Sequence, residues 1–156
     1  MILYFLRHGE AGEDGTRLTP AGVAGLRAAG PLWRRLNLRP DVVVTSPLPR
    51  AAESASLLAE ALGLPEPTPD DRLAPGAEWD AMARAMADHA DARSVLFVGH
   101  EPDLSRAIQR LTGAASVRMR KGGLACVEFY GVPEPGAGEL AWLLDPDLYA
   151  ADGKPS

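Results

Sequence analysis

Three short apolar runs, each stopped by polar residues, constrain this chain most. Residues 2–6 read Ile-Leu-Tyr-Phe-Leu and stop at Arg7-His8-Gly9. Residues 41–45 read Asp-Val-Val-Val-Thr and stop at Ser46-Pro47. Residues 94–98 read Ser-Val-Leu-Phe-Val and stop at Gly99-His100. A run of this length without polar alternation predicts a strand covered on both faces, as in a parallel sheet.

The segments between these runs carry helical signals. Thr19 precedes Pro20 as a helix cap before a proline at the first helical position. Val23, Leu26, Leu32, Trp33 and Leu36 follow at helical spacing. Gly30-Pro31 predicts a kink or a fresh start in that helix. Residues 48–62 predict a second helix, stopped by Gly63 and Pro65. Residues 65–76 hold four prolines and predict a loop. Residues 77–90 predict a third helix, and Pro102 opens a fourth that runs to about Leu111. Residues 124–130 and 139–144 predict two further strands around a Pro/Gly-rich turn. The expected fold class is α/β, a three-layer α/β/α sandwich with a mostly parallel central sheet. Residues 1–145 form its single domain, and 146–156 an irregular C-terminal tail.

Charge and cysteine content exclude several classes. Lys+Arg number 16 and Asp+Glu 21, so the formal net charge is −5, against a nucleic-acid partner. One cysteine allows neither an internal disulfide nor a cysteine-rich metal cluster. No apolar run approaches the roughly 18 to 20 residues of a membrane span. The first residues lack a basic stretch before their apolar run, so no membrane partner and a cytoplasmic location are expected.

In open parallel sheets, ligands bind beyond the carboxyl ends of the strands. Here that edge gathers Arg7, His8, Arg50 and His100. Two arginines and two histidines at one mouth describe a dianion site, because the guanidinium fork matches phosphate oxygens. An unprotonated histidine nitrogen in line with phosphorus can attack it. Its other ring nitrogen then donates to a carbonyl, and a backbone carbonyl near Gly9 is a candidate. A second histidine can donate to an equatorial oxygen. The sequence offers no His-Glu-x-x-His and no good metal-ligand set, so no metal and no cofactor is expected.

Four segments carry a family resemblance. Arg7-His8-Gly9-Glu10 after a buried strand resembles the RHG signature of the histidine phosphatase superfamily, branch 1, whose fold is phosphoglycerate mutase-like. Leu18-Thr19-Pro20-Ala21-Gly22 resembles its L-T-x-x-G segment, Ser46-Pro47-Leu48-Pro49-Arg50-Ala51 its S-P-x-x-R-A segment, and Val98-Gly99-His100 its V-G-H segment. The resemblance covers roughly residues 1–112. It implies His8 as nucleophile, with Arg7, Arg50 and His100 clamping the phosphoryl oxygens and Gly9 alongside. The chain is most similar to the small SixA-type phosphohistidine phosphatases. Arg17 before Leu18-Thr19 is similar to an arginine found there, a possible substrate contact. Leu73-Ala74-Pro75-Gly76 resembles their L-T-P-x-G stretch. Relatives that cleave esters carry a glutamate where Pro75 stands here.

A phosphohistidine-bearing protein, or a small phosphorylated molecule, is thus the expected partner. The P–N bond of phosphohistidine is labile, so its cleavage makes less demand on a dedicated acid than an alkyl ester does. Glu78, close to Pro75, is the candidate general acid, with Asp80 beside it, for the alternative, a phosphatase of small esters or phosphotyrosine-like groups. A silent anion- or phosphopeptide-binding module is the remaining alternative.

Overall fold

The computed structural model describes residues 1–150. Its strands are β1 (Ile2–Arg7), β2 (Val42–Thr45), β3 (Thr68–Pro69), β4 (Ser94–Gly99), β5 (Leu124–Glu128) and β6 (Glu139–Leu144). Its α-helices are α1 (Pro20–Arg35), α2 (Pro49–Leu62), α3 (Trp79–Ala87) and α4 (Asp103–Thr112). The strands form one sheet in the order β3-β2-β4-β1-β5-β6. β1, β2, β3 and β4 pair in parallel; β5 and β6 add antiparallel pairings at one side.

Strand side chains alternate between faces, so each buried strand feeds two cores. Leu3 and Phe5 join Phe97 and the α3 and α4 residues Met82, Leu104 and Ile108. Tyr4 and Leu6 join Leu96, Val98 and the α1 and α2 residues Leu26, Trp33 and Leu58. The result is the expected α/β/α sandwich. Phe5 and Phe97, directly opposite in register, stack at 5.9 Å. Each large side chain so buried contributes about 1.5–3 kcal/mol.

Local departures from the sequence reading have physical causes. α1 runs unbroken through Pro31. Pro31 is exposed while Leu26, Ala29, Gly30 and Trp33 are buried, so the bond it removes faces solvent and packing of the other side holds the helix. The expected loop at 65–76 contains β3 and a short 3₁₀ helix, Asp71–Leu73. Proline is tolerated in β3 because it lies at the sheet edge. Residues 146–150, expected to be irregular, form a 3₁₀ helix, Pro146–Ala150. Tyr149 draws it onto the core, meeting Trp33 edge-on and donating its hydroxyl proton to Gly122 O at 2.6 Å. The remainder of the expected tail, 151–156, lies outside the described residues.

The N-terminus of α1 docks directly on the loop after β1. Thr19 N and the Thr19 hydroxyl both donate to Glu10 O, and Thr19 Oγ1 accepts from Gly22 N at 2.9 Å. A Cβ on Gly22 would lie 2.2 Å from Glu10 O. Backbone cannot yield cheaply to such a clash. Gly22→Ala is therefore expected to cost about 1–3 kcal/mol, measured as a lower denaturant midpoint.

Candidate active site

Sheet register assembles the site. Arg7 on β1 lies opposite Gly99 on β4, and His8 N donates to Gly99 O at 3.1 Å. The next residue on each strand is a histidine, and the two rings come to 5.2 Å between centroids. Thr45 on β2 pairs with Val98, and Ser46 N donates to Val98 O at 2.9 Å. Pro49 then opens α2 and sets Arg50 in its first turn. Three strand ends and one helix start thus bring Arg7, His8, Ser46, Arg50 and His100 together.

His8 is only 6% exposed. Its Nδ1 lies 2.7 Å from Gly9 O. A carbonyl can only accept, so Nδ1 carries the proton and Nε2 presents its lone pair. Arg50 Nε donates to that nitrogen at 3.3 Å. Burial above all, aided by the charges of Arg50, Arg7 and Lys121, pushes the His8 pKa down to about 4, against the opposing hydrogen bond to Gly9 O. His8 is therefore neutral at neutral pH. Gly9 also donates its N–H to Ser54 Oγ at 3.0 Å, and Ser54 donates to Arg50 O at 2.7 Å. A serine of α2 thereby ties the His8 loop to the arginine of the same helix.

His100 is 3% exposed, and its Nε2 lies 2.8 Å from Ser46 Oγ. Burial, then the neighbouring His8, Arg50 and Arg7, push its pKa down to about 4 as well. His100 Nδ1 and Arg7 Nε are both buried without a hydrogen-bond partner. Arg7 Nε is a donor, and His100 Nδ1 is one in the tautomer that carries its proton there; open donors so placed suit an anion's oxygens, because an unpaired polar group in this setting is costly. Arg50 also donates through NH1 to Gly15 O, which secures the turn at 12–17. Arg7 NH1 donates to Met119 O at 2.9 Å.

Two candidate residues lie apart from this cluster. The Arg17 side chain is 78% exposed and faces Glu53 at 3.9 Å. Glu78 precedes α3 as an exposed residue. It lines a cavity with Trp79, Asp103, Arg106 and Arg110, which none of Arg7, His8, Arg50 and His100 lines. Conversely, sequence reasoning passed over Ser46 and Ser54 as partners of the histidine and arginine. It also missed the run Arg118-Met119-Arg120-Lys121, whose charge density was the available signal. That run lines a cavity of about 690 Å³ together with Arg7, Glu10 and Glu101. Among the described residues no His, Cys, Asp and Glu are grouped to hold a metal ion, and no helix is long and apolar enough to cross a membrane.

The model of the histidine phosphatase superfamily (branch 1) matches residues 3–81, and the chain belongs to that family. An uncharacterized protein of Picosynechococcus sp. is 35% identical over 113 residues, 67% of this chain and 68% of that protein. A 2,3-bisphosphoglycerate-dependent phosphoglycerate mutase of Methylobacterium sp. is 32% identical over 102 residues, 59% of this chain and 49% of the mutase. The chain thus matches about half of the mutase's length. In fold it resembles the protein histidine phosphatase SixA complexed with tungstate, with a TM-score of 0.84, 22% identity and coverage of 95% of this chain and 99% of that one. It also resembles a putative phosphohistidine phosphatase SixA from Nakamurella multipartitia, with a TM-score of 0.73, 26% identity and coverage of 93% and 95%. These matches support phosphatase activity and a SixA-type fold.

Proposed function

We propose that the chain is a metal-independent phosphatase that hydrolyses phosphohistidine on a protein through a phosphorylated His8. The observation that carries the reading is the tautomer of His8: Nδ1–H held by Gly9 O, and a neutral Nε2 beside Arg50. Nε2 forms a bond to phosphorus as the P–N bond to the substrate imidazole breaks, and the departing imidazole takes a proton from solvent. Water then attacks the phosphorus of phospho-His8, releasing phosphate and restoring the ring. Arg7, Arg50 and His100 hold the phosphoryl oxygens and offset their developing charge.

Ser46 sets the tautomer that His100 needs for this role. Its Oγ accepts from Leu48 N at 3.3 Å and keeps its own proton for His100 Nε2, and in the proposed role the hydroxyl donates that proton. The proton of neutral His100 then sits on Nδ1, the nitrogen without a partner. Ser46→Ala is expected to lower kcat about 10- to 100-fold, the range seen when an orienting partner of a metal-bound imidazole is lost. The ¹⁵N shifts of His100 should report a changed tautomer; unchanged shifts with unchanged kcat refute the assignment.

The phosphohistidine reading draws support from Pro75, which stands where ester-cleaving relatives carry a glutamate, and from the SixA-type fold. It is tested by hydrolysis, in EDTA, of a phosphohistidine protein, a phosphotyrosine peptide and a sugar phosphate. The phosphohistidine protein should turn over fastest, and EDTA should change no rate more than about twofold. A tenfold loss in EDTA that Mg²⁺ restores counts against the mechanism. Glu78→Gln should leave phosphohistidine hydrolysis within a few-fold of wild type, since Glu78 lines another cavity. A preference for alkyl esters that this substitution lowers by about 10²-fold makes Glu78 the acid, and the chain an ester phosphatase.

A further inference from the structure

We propose that Arg118 and Lys121 form a docking shelf for carboxylates flanking the phosphoryl group of a polypeptide substrate. The proposal deepens the phosphatase reading and rests on it. The loop that carries both residues is fastened to the site on two sides. Arg7 NH1 donates to Met119 O, and Gly122 N donates to both Arg7 O and His8 O. Arg118 is one residue from the first contact, and Lys121 is one residue from the second. Both are exposed and line the same cavity as Arg7. Because His8 and His100 are almost fully buried, whatever carries the phosphoryl group must remain outside them. The cavity at Arg7 offers it room.

The charges in that wall are not equally available. Arg120 is committed, pairing with Asp145 at 2.9 Å and Asp147 at 2.8 Å. The loop therefore already seats one pair of carboxylates, those of the chain's own C-terminal segment. Among the described residues no carboxylate lies within 4.0 Å of Arg118 or Lys121, although Asp145, held by Arg120, feels the Arg118 charge from beyond that distance. Of the two acids in the cavity wall, Glu101 is occupied by the N–H and hydroxyl of Ser105. Glu10 is exposed and lines the same cavity as Lys121. A cationic mouth on a chain of net charge −5 also steers, since an acidic segment is attracted here and repelled over the surface as a whole.

Two phosphohistidine peptides, alike except for Asp and Glu or Asn and Gln beside the phosphorylated residue, test the shelf. Wild type should favour the acidic peptide about fivefold in kcat/KM, as two exposed ion pairs supply, with the preference shrinking in high salt. Arg118→Gln should lower that preference to about twofold, and Arg118→Glu should abolish or invert it. Neither should move kcat/KM for the neutral peptide by more than about threefold. Lys121→Gln in addition should remove the remaining preference. Equal rates for the two peptides with wild type, or equal losses on both with Arg118→Gln, overturn the shelf. The same pair built on phosphotyrosine separates this proposal from the substrate reading. Preference there without phosphohistidine turnover supports the shelf and refutes phosphohistidine as substrate. Hydrolysis of phosphoramidate without hydrolysis of any peptide overturns the shelf and leaves the phosphatase standing.

Discussion

His8→Ala is expected to fold normally and to lose at least about 10³-fold in turnover, together with all covalent labelling by a phosphoryl donor. The ring makes two hydrogen bonds, one donated to the Gly9 carbonyl and one accepted from Arg50, and the strand beneath it is held by the sheet. Its removal therefore touches the chemistry more than the scaffold. Rapid-quench experiments with radiolabelled phosphoramidate should show a stoichiometric burst on His8 in wild type and none in the variant. Circular dichroism verifies that the fold is retained. Labelling of the variant at His100, or turnover near wild type, would falsify the nucleophile assignment. His100 is the strongest competitor because it is equally buried and equally neutral, but its Nε2 is already engaged by Ser46.

Arg50→Ala should lower kcat/KM by about 10²–10³-fold, because in the proposed mechanism one guanidinium both clamps the phosphoryl group and neighbours the attacking His8. Its pH signature distinguishes it from a merely structural loss. In wild type the acid limb of kcat/KM should fall near pH 4, where His8 takes a proton. Arg50 is one of the charges that depress this pKa, so removing it shifts the limb upward. Burial is the larger cause and persists, so the limb should stop short of the ordinary histidine value of about 6.5. Arg50→Lys keeps the charge but not the fork; its acid limb should stay near wild type while its rate falls about tenfold. An acid limb unmoved in Arg50→Ala would sink the electrostatic account.

The same depressed pKa values bear on stability. His8 and His100 stay neutral in the native state to about pH 4, whereas in the unfolded chain they protonate near 6.5. Between these values the unfolded state binds more protons. Stability should therefore be unaffected by them above about pH 6.5 and decline as the pH falls toward 4.

The apolar runs at 2–6, 41–45 and 94–98 determined the buried strands, since they are too short for helices and a strand between two helical layers covers both their faces. Their polar ends determined which residues meet at the carboxyl edge, so Arg7, His8, Arg50 and His100 were legible without a structure. The segment at 65–76 was not legible, because a two-residue edge strand leaves no period and its pairing to β2 is a tertiary event. Pro31 was misleading for a similar reason: a lost helical bond matters less when it faces water and the opposite face is packed. Tyr149 carries no local signal at all. Only the packed α1 and the Gly122 carbonyl give it somewhere to go.

Chemistry divides along the same line. The sequence supplied residue types at strand ends, but a side chain's proton is placed by its partner. Only the β1–β4 register set the two imidazoles side by side. The carbonyl on His8 Nδ1 is the local one at Gly9 that the sequence offered, but only β2 put Ser46 against His100. Arg17 follows the His8 segment and Glu78 follows Pro75 in sequence, yet one points to solvent and the other lines a cavity between α3 and α4. Arg118 and Lys121 lie more than a hundred residues from His8 along the chain, and hydrogen bonds to Arg7 and His8 bring their loop to it. Proximity of that kind comes from hydrogen bonds across the fold, which leave no mark in a local pattern.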